Sequence, residues 1–169
     1  MPTTHAKEIT VKHTYIGDYP KLTVAQMKKR LDVLLKTVRY LGEDCDGRSN
    51  VCVTCRKRFP IKELQCGHFI KRGNQVLKYD SHNVWPQCAR CNHFLGGAQD
   101  KMAYETIRRL GFDEFERLVE TDRSWQEGKL PNLKRADLAE AYNYWLDKTR
   151  MVERQFSVQL VPESWKNTN

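Results

Sequence analysis

Cys52-Val53-Thr54-Cys55 and Cys88-Ala89-Arg90-Cys91, separated by 32 residues, decide how this chain is read. A two-residue gap lets both thiolates of a pair reach one ion from a tight turn. Four thiolates at about 2.3 Å then complete a tetrahedral zinc shell with no open position, so the expected zinc is structural. Two such pairs outweigh a redox reading of either one, and in an intracellular chain they favour metal over disulfides. Cys45, in a Gly/Asp-rich turn, reads as a free thiol, and Cys66, in an apolar run, as a small buried hydrophobe.

Working outward, residues 64–70 read as a strand, Gly73-Asn74 as a turn and residues 83–86 as a second strand. A helix is predicted from near Cys88 to a break at Gly96-Gly97. This ββα unit is too small for a good core of its own, and a zinc contributes on the order of 10 kcal/mol to such folds. Upstream, Val24, Met27, Leu31, Leu34, Val38 and Leu41 recur at spacings of three and four, a helical seam capped by Thr23 and stopped by Gly42. Downstream, residues 101–110 and 113–120 read as helices split by Gly111. A last helix over 133–155 carries Leu138, Tyr142, Trp145 and Val152 on one stripe. The expected fold class is α+β, mostly helical. An arm (1–20) and a helix with its loop (21–50) precede the zinc-containing module (51–99), and a helical region (100–169) follows it.

Composition narrows the function. No apolar run approaches the ~18 residues of a membrane helix, and residues 1–19 lack the apolar core and cleavage site of a secretory signal. Seventeen aromatics in 169 residues argue against a disordered chain. The formal net charge is +8, and residues 52–99 carry eight basic side chains against Glu63 and Asp80. A concentrated basic patch points to a polyanion partner, where a uniform one would signal only solubility. Arg56, Lys57, Arg58, Lys71, Arg72 and Arg90 are the expected contacts to a nucleic-acid backbone, made through charge rather than base readout.

His68 stands on the first predicted strand, Asn83 follows 15 residues later, and Asn92 comes directly after the last cysteine. A lone strand histidine is commonly structural, but the order Cys pair, His, Asn, Cys pair, Asn resembles the HNH, or ββα-metal, nuclease site. Phosphodiester hydrolysis needs a nucleophile made at neutral pH, which imidazole supplies, and a cation to offset charge on the phosphate. More specifically, Cys-Val-Thr-Cys, Leu64-Gln65-Cys66-Gly67-His68-Phe69-Ile70, the run from Asn83 to Asn92 and Phe94-Leu95-Gly96-Gly97-Ala98-Gln99 resemble the NinG/Rap family of lambdoid phage recombination endonucleases. The site is also similar to that of phage endonuclease VII.

That resemblance implies a structure-specific endonuclease for branched double-stranded DNA such as Holliday junctions, D-loops and flaps. It would be phage- or prophage-encoded and act in the bacterial cytoplasm. By position, His68 matches the general base, Asn83 the middle Asn that orients the base or its loop, and Asn92 the ligand of a catalytic Mg²⁺ or Mn²⁺. Cys52, Cys55, Cys88 and Cys91 match the structural zinc. The usual Asp before the base is replaced by Gly67, so the second ligand falls to Asp80, which serves equally well as a cap for its turn. His82 is a phosphate contact or a loop residue, and His93 is surface. A non-catalytic zinc-finger module and an HNH nicking enzyme of other specificity are the competing readings. Two cuts related by a twofold axis suit a homodimer built on the 24–41 seam and the 133–155 stripe. Packing of those two helices on each other within one chain is the alternative.

Overall fold

The computed structural model describes residues 21–166 and is α+β, mostly helical. Helix α1, Val24–Leu41, begins where the capping signal places it: the Thr23 hydroxyl accepts from the Gln26 amide, and the Gln26 side chain accepts from the Thr23 amide. Three-residue strands β1 (Ser49–Val51) and β2 (Arg58–Pro60) pair antiparallel and bracket the first cysteine pair. Strands β3 (Leu64–His68) and β4 (Val84–Cys88) form a second antiparallel pair, with Gly67 opposite Trp85 and His68 opposite Val84. A single π-helical turn, Arg90–Phe94, follows. Helices α2 (Gln99–Leu110), α3 (Phe112–Gln126), α4 (Arg135–Phe156) and the short α5 (Glu163–Lys166) complete the chain.

The helix expected from Cys88 is therefore shorter and starts later. Pairing with Leu64 keeps Cys88 extended, and the Leu95 amide donates back to the Arg90 carbonyl, five residues away. The strand expected over 64–70 stops at His68, because the Phe69 amide donates to the Asn83 carbonyl and the Ile70 amide to the Asn83 side chain. Residues 43–50, read as loop, contain the start of β1.

The apolar seam of α1 is covered within the chain. Met27, Leu31, Leu34, Leu35 and Val38 pack with Leu138, Ala139, Tyr142, Trp145 and Leu146 of α4 in one buried cluster, joined by Tyr79 and Val84. The two helices run the same way: Arg135 donates to the Leu22 carbonyl, Arg30 to the Tyr142 hydroxyl, and the Arg39 guanidinium lies against the Trp145 ring. Seam and stripe thus cover each other, which removes them as the surfaces of a dimer. A second cluster joins Val53, Phe69, Leu77 and Trp85 to Met102 of α2 and Leu118 of α3. Both clusters draw residues from several of the sequence segments, and the expected arm at 1–20 lies outside the described residues. No helix among the described residues is long and apolar enough to cross a membrane.

Candidate active site and metal centre

The four cysteines of the two pairs converge. Their Sγ atoms all lie within 4.8 Å of one another, with Cys55 and Cys88 4.0 Å apart. Zinc–sulfur bonds of about 2.3 Å in a tetrahedron put neighbouring sulfurs about 3.8 Å apart, so the cluster has the spacing to hold a structural metal such as zinc. Local structure produces this. Arg56, with φ of 59°, turns the chain after Cys55 so that the Arg56 amide closes on the Cys52 carbonyl, while β4 and the turn after it carry Cys88 and Cys91 in from the other side. Cys45 and Cys66 stay outside the cluster. Cys45 accepts from the Gly47 amide, and Cys66 packs at the edge of the first apolar cluster, where burial pushes its thiol up to about 11.

His68 ends β3 with its ring largely enclosed. Its Nε2 lies 3.2 Å from the Lys78 carbonyl, and Nδ1 is buried with no hydrogen-bond partner. A carbonyl only accepts, so Nε2 carries the proton and Nδ1 presents a bare lone pair. Burial, with Arg72 and Lys78 nearby, holds the ring down to about 4 against the opposing carbonyl contacts, and it is neutral at physiological pH. Lys78 is itself fixed, its ammonium 3.1 Å from Asp32 of α1 and 2.9 Å from the Tyr79 hydroxyl.

Asn83 is fully buried, and its side-chain hydrogen bonds go to backbone groups and not to the His68 ring. Its amide nitrogen donates to the Ile70 and Leu77 carbonyls, and its oxygen accepts from the Ile70 amide at 2.6 Å. Asn83 therefore closes the loop that brings the Lys78 carbonyl to His68; of the two roles expected for it, the geometry places it on the loop. Asn83→Ala leaves three buried backbone groups unpaired and is expected to cost on the order of 3 kcal/mol by urea denaturation. A loss below about 0.5 kcal/mol would show that the loop is held by other contacts.

Asn92 projects from the π-helical turn, and its Nδ2 donates to Gln65 Oε1 at 2.8 Å. Gln65 pairs across the hairpin with Gln87. Gln87 donates to the Gly97 carbonyl at 2.8 Å and the Thr54 hydroxyl at 3.2 Å; its Oε1 is buried and unpartnered. That oxygen lies where residue 67 would begin a side chain, since a Cβ built on Gly67 falls 2.0 Å from it. A side chain at 67 would therefore displace that of Gln87 from the place it holds here. Nothing in the sequence pattern marked Gln87, apart from its strand position opposite Gln65.

The Asp80 carboxylate is ion-paired with Arg117 at 2.7 Å and accepts from the His82 amide, which caps its turn, and it also forms with His82 and Glu114 a group whose ligand atoms all lie within 4.8 Å of one another. His82, one of the two outcomes foreseen for it, is a loop residue, with Nδ1 2.6 Å from Glu114. His93 is exposed, as expected. The carboxamide oxygens brought together at this corner are those of Asn92 and its partner Gln65. They are hard donors of the kind Mg²⁺ and Mn²⁺ accept, but they carry no charge. Such a set fits an ion that also takes oxygens from a phosphate.

Of the expected backbone contacts, Arg56 pairs with Glu105 and Arg58 with Asp46, so both guanidiniums are engaged internally. Lys57, Lys71, Arg72 and Arg90 have no ion pair among the described residues.

Residues 21–153 match the protein family described as Bacteriophage Lambda NinG protein. No curated protein and no solved structure matches the chain.

Proposed function

The chain belongs to the NinG family, and from that premise we propose that it is a divalent-metal-dependent endonuclease of the HNH type that cuts branched recombination intermediates. One observation carries the reading: a strand histidine whose Nε2 hydrogen is held by the Lys78 carbonyl and whose Nδ1 lone pair is bare. In this reading Nδ1, enclosed in the free chain, takes the proton from a water admitted with the DNA, and the water oxygen bonds to phosphorus as the bond from phosphorus to the leaving sugar oxygen breaks. The Lys78 carbonyl keeps the tautomer fixed and stabilises the imidazolium that forms. Phosphate beside the ring raises its proton affinity from the low value that burial imposes.

Asn92 and Gln65 would hold Mg²⁺ or Mn²⁺, which when bound offsets charge on the phosphate and the leaving oxygen. Lys71 and Arg72, just beyond β3, receive the backbone on the His68 side. Four cysteines hold the zinc that keeps hairpin and turn in register. The arrangement of hairpin, turn and base supports an HNH reading over a passive zinc finger, for which a solvent-exposed basic surface alone would suffice. Paired cuts across a four-way junction favour two chains acting together, through surfaces other than the α1–α4 seam.

The test is cleavage of a four-way junction, a flap, a D-loop and linear duplex, side by side, with Mg²⁺ or Mn²⁺. Branched substrates are expected to be cut at least tenfold faster than the duplex. No cleavage of any of them by zinc-loaded protein would overturn the nuclease reading.

A further inference from the structure

A groove of about 590 Å³ opens between the first cysteine turn, β3 and the turn that carries Asn92. Lys57, Lys62, Arg90 and Lys101 line it, together with Glu63 and with Cys55, Cys88 and Cys91 of the cysteine cluster. All four cations are exposed and none has an ion-pair partner among the described residues, whereas neighbouring Arg56 and Arg58 are paired internally. Two of the four, Lys62 and Lys101, lie outside the contacts expected from the sequence. Below the charged rim, Phe59 and Leu95 supply apolar surface, and Leu95 is half exposed. The groove reaches Gln65, the residue that holds Asn92.

A charged rim over an apolar floor is what a single nucleic-acid strand requires: cations follow the phosphates while bases lie against side-chain faces. The volume falls within the small-ligand range of about 300–1,000 Å³. We propose that this groove binds an unpaired DNA strand and delivers it to the Asn92 side of the site, so that preference for flaps and D-loops over linear duplex comes from the strand left unpaired there. This rests on the nuclease reading given above.

Fluorescence anisotropy with labelled (dT)8 and with an abasic strand of equal length tests it, using the zinc-loaded full chain without divalent ions. The expected result is at least tenfold tighter binding of (dT)8 than of the abasic strand. The double variant Lys62→Glu/Lys101→Glu should lose at least tenfold for (dT)8. Lys29→Glu, on the exposed side of α1, should change neither affinity. With about −0.7 per phosphate contact on single strands, removing two contacts should reduce the log–log salt slope by about 1.4. Equal binding of both strands, or unchanged (dT)8 binding by a zinc-replete double variant, would overturn the groove. The two readings fail separately: tight (dT)8 binding without cleavage of any branched substrate counts against the nuclease and leaves the groove standing.

Discussion

His68→Ala is expected to slow junction cleavage by ~10²–10⁴-fold, the usual cost of losing a general base, with zinc content and junction affinity unchanged. The imidazole is not among the four sulfur ligands, and its bare Nδ1 makes no contact that the fold depends on. His68→Gln is the sharper variant, since its amide still donates to the Lys78 carbonyl but offers no titrating lone pair. Both should be equally inactive if proton abstraction is the role. Activity within a few-fold of wild type in either would remove His68 from the chemistry.

The same ring sets a pH dependence. Its folded value of about 4 lies below the 6.5 of an unfolded histidine. As pH falls below 6.5 the unfolded chain binds the proton first, so stability is full above that value and is lost towards pH 4. At 1.36 kcal/mol per unit the loss reaches about 3 kcal/mol. His68→Gln should flatten that limb in denaturant titrations from pH 7 to 4. An unchanged slope would show that other groups carry the acid sensitivity.

Cys88→Ser is expected to do something different: unfold the middle of the molecule. A four-thiolate zinc contributes on the order of 10 kcal/mol to a small domain, comparable with the whole 5–15 kcal/mol stability of an ordinary protein. Cys88 also ends β4, so its loss loosens the strand that pairs with the one bearing His68. Through Val53 and Trp85 the damage should spread to α2 and α3. Purified wild type should carry about one zinc per chain, and strong chelation should reproduce the Cys88→Ser loss of circular dichroism and cooperative melting. A zinc-free wild-type protein with an unshifted melting temperature would refute the metal centre.

What the sequence disclosed was local. The α1 seam, its Thr23 cap and the cysteine pairs are short-range patterns; the cap and the pairs are found where their spacing placed them, while the ends of the seam, Val24 and Leu41, stay outside the buried cluster. Strands of three residues such as β1 and β2 are too short to show an alternation, so they were invisible. Partners far apart along the chain were equally hidden. Asp80 meets Arg117, Arg56 meets Glu105, and Trp145 donates its indole hydrogen to the Tyr79 carbonyl. Those meetings decide which charges stay free for a ligand, and only the folded arrangement reveals that Lys62 and Lys101 do while Arg56 and Arg58 do not. Gln87 shows the limit most clearly. A glutamine reads as ordinary polar filling, yet its side chain occupies the space beside Gly67 where the motif leads one to look for an acid.

The same-direction pairing of α1 with α4 has a consequence in time. α1 emerges early from the ribosome, but the helix that covers Met27, Leu31 and Leu34 is not complete until residue 156. Its apolar stripe must wait through the synthesis of 115 residues, from 41 to 156, at ≈ 5–20 per second. Contacts of such sequence separation also slow folding, because the loop is closed before it is rewarded. The middle, with its four-cysteine cluster, is built from nearer neighbours and can form first, acting as a clasp that brings the two helices within reach. The order of assembly is then centre before flanks, and early zinc shortage would leave nascent chains with a bare helix prone to aggregation.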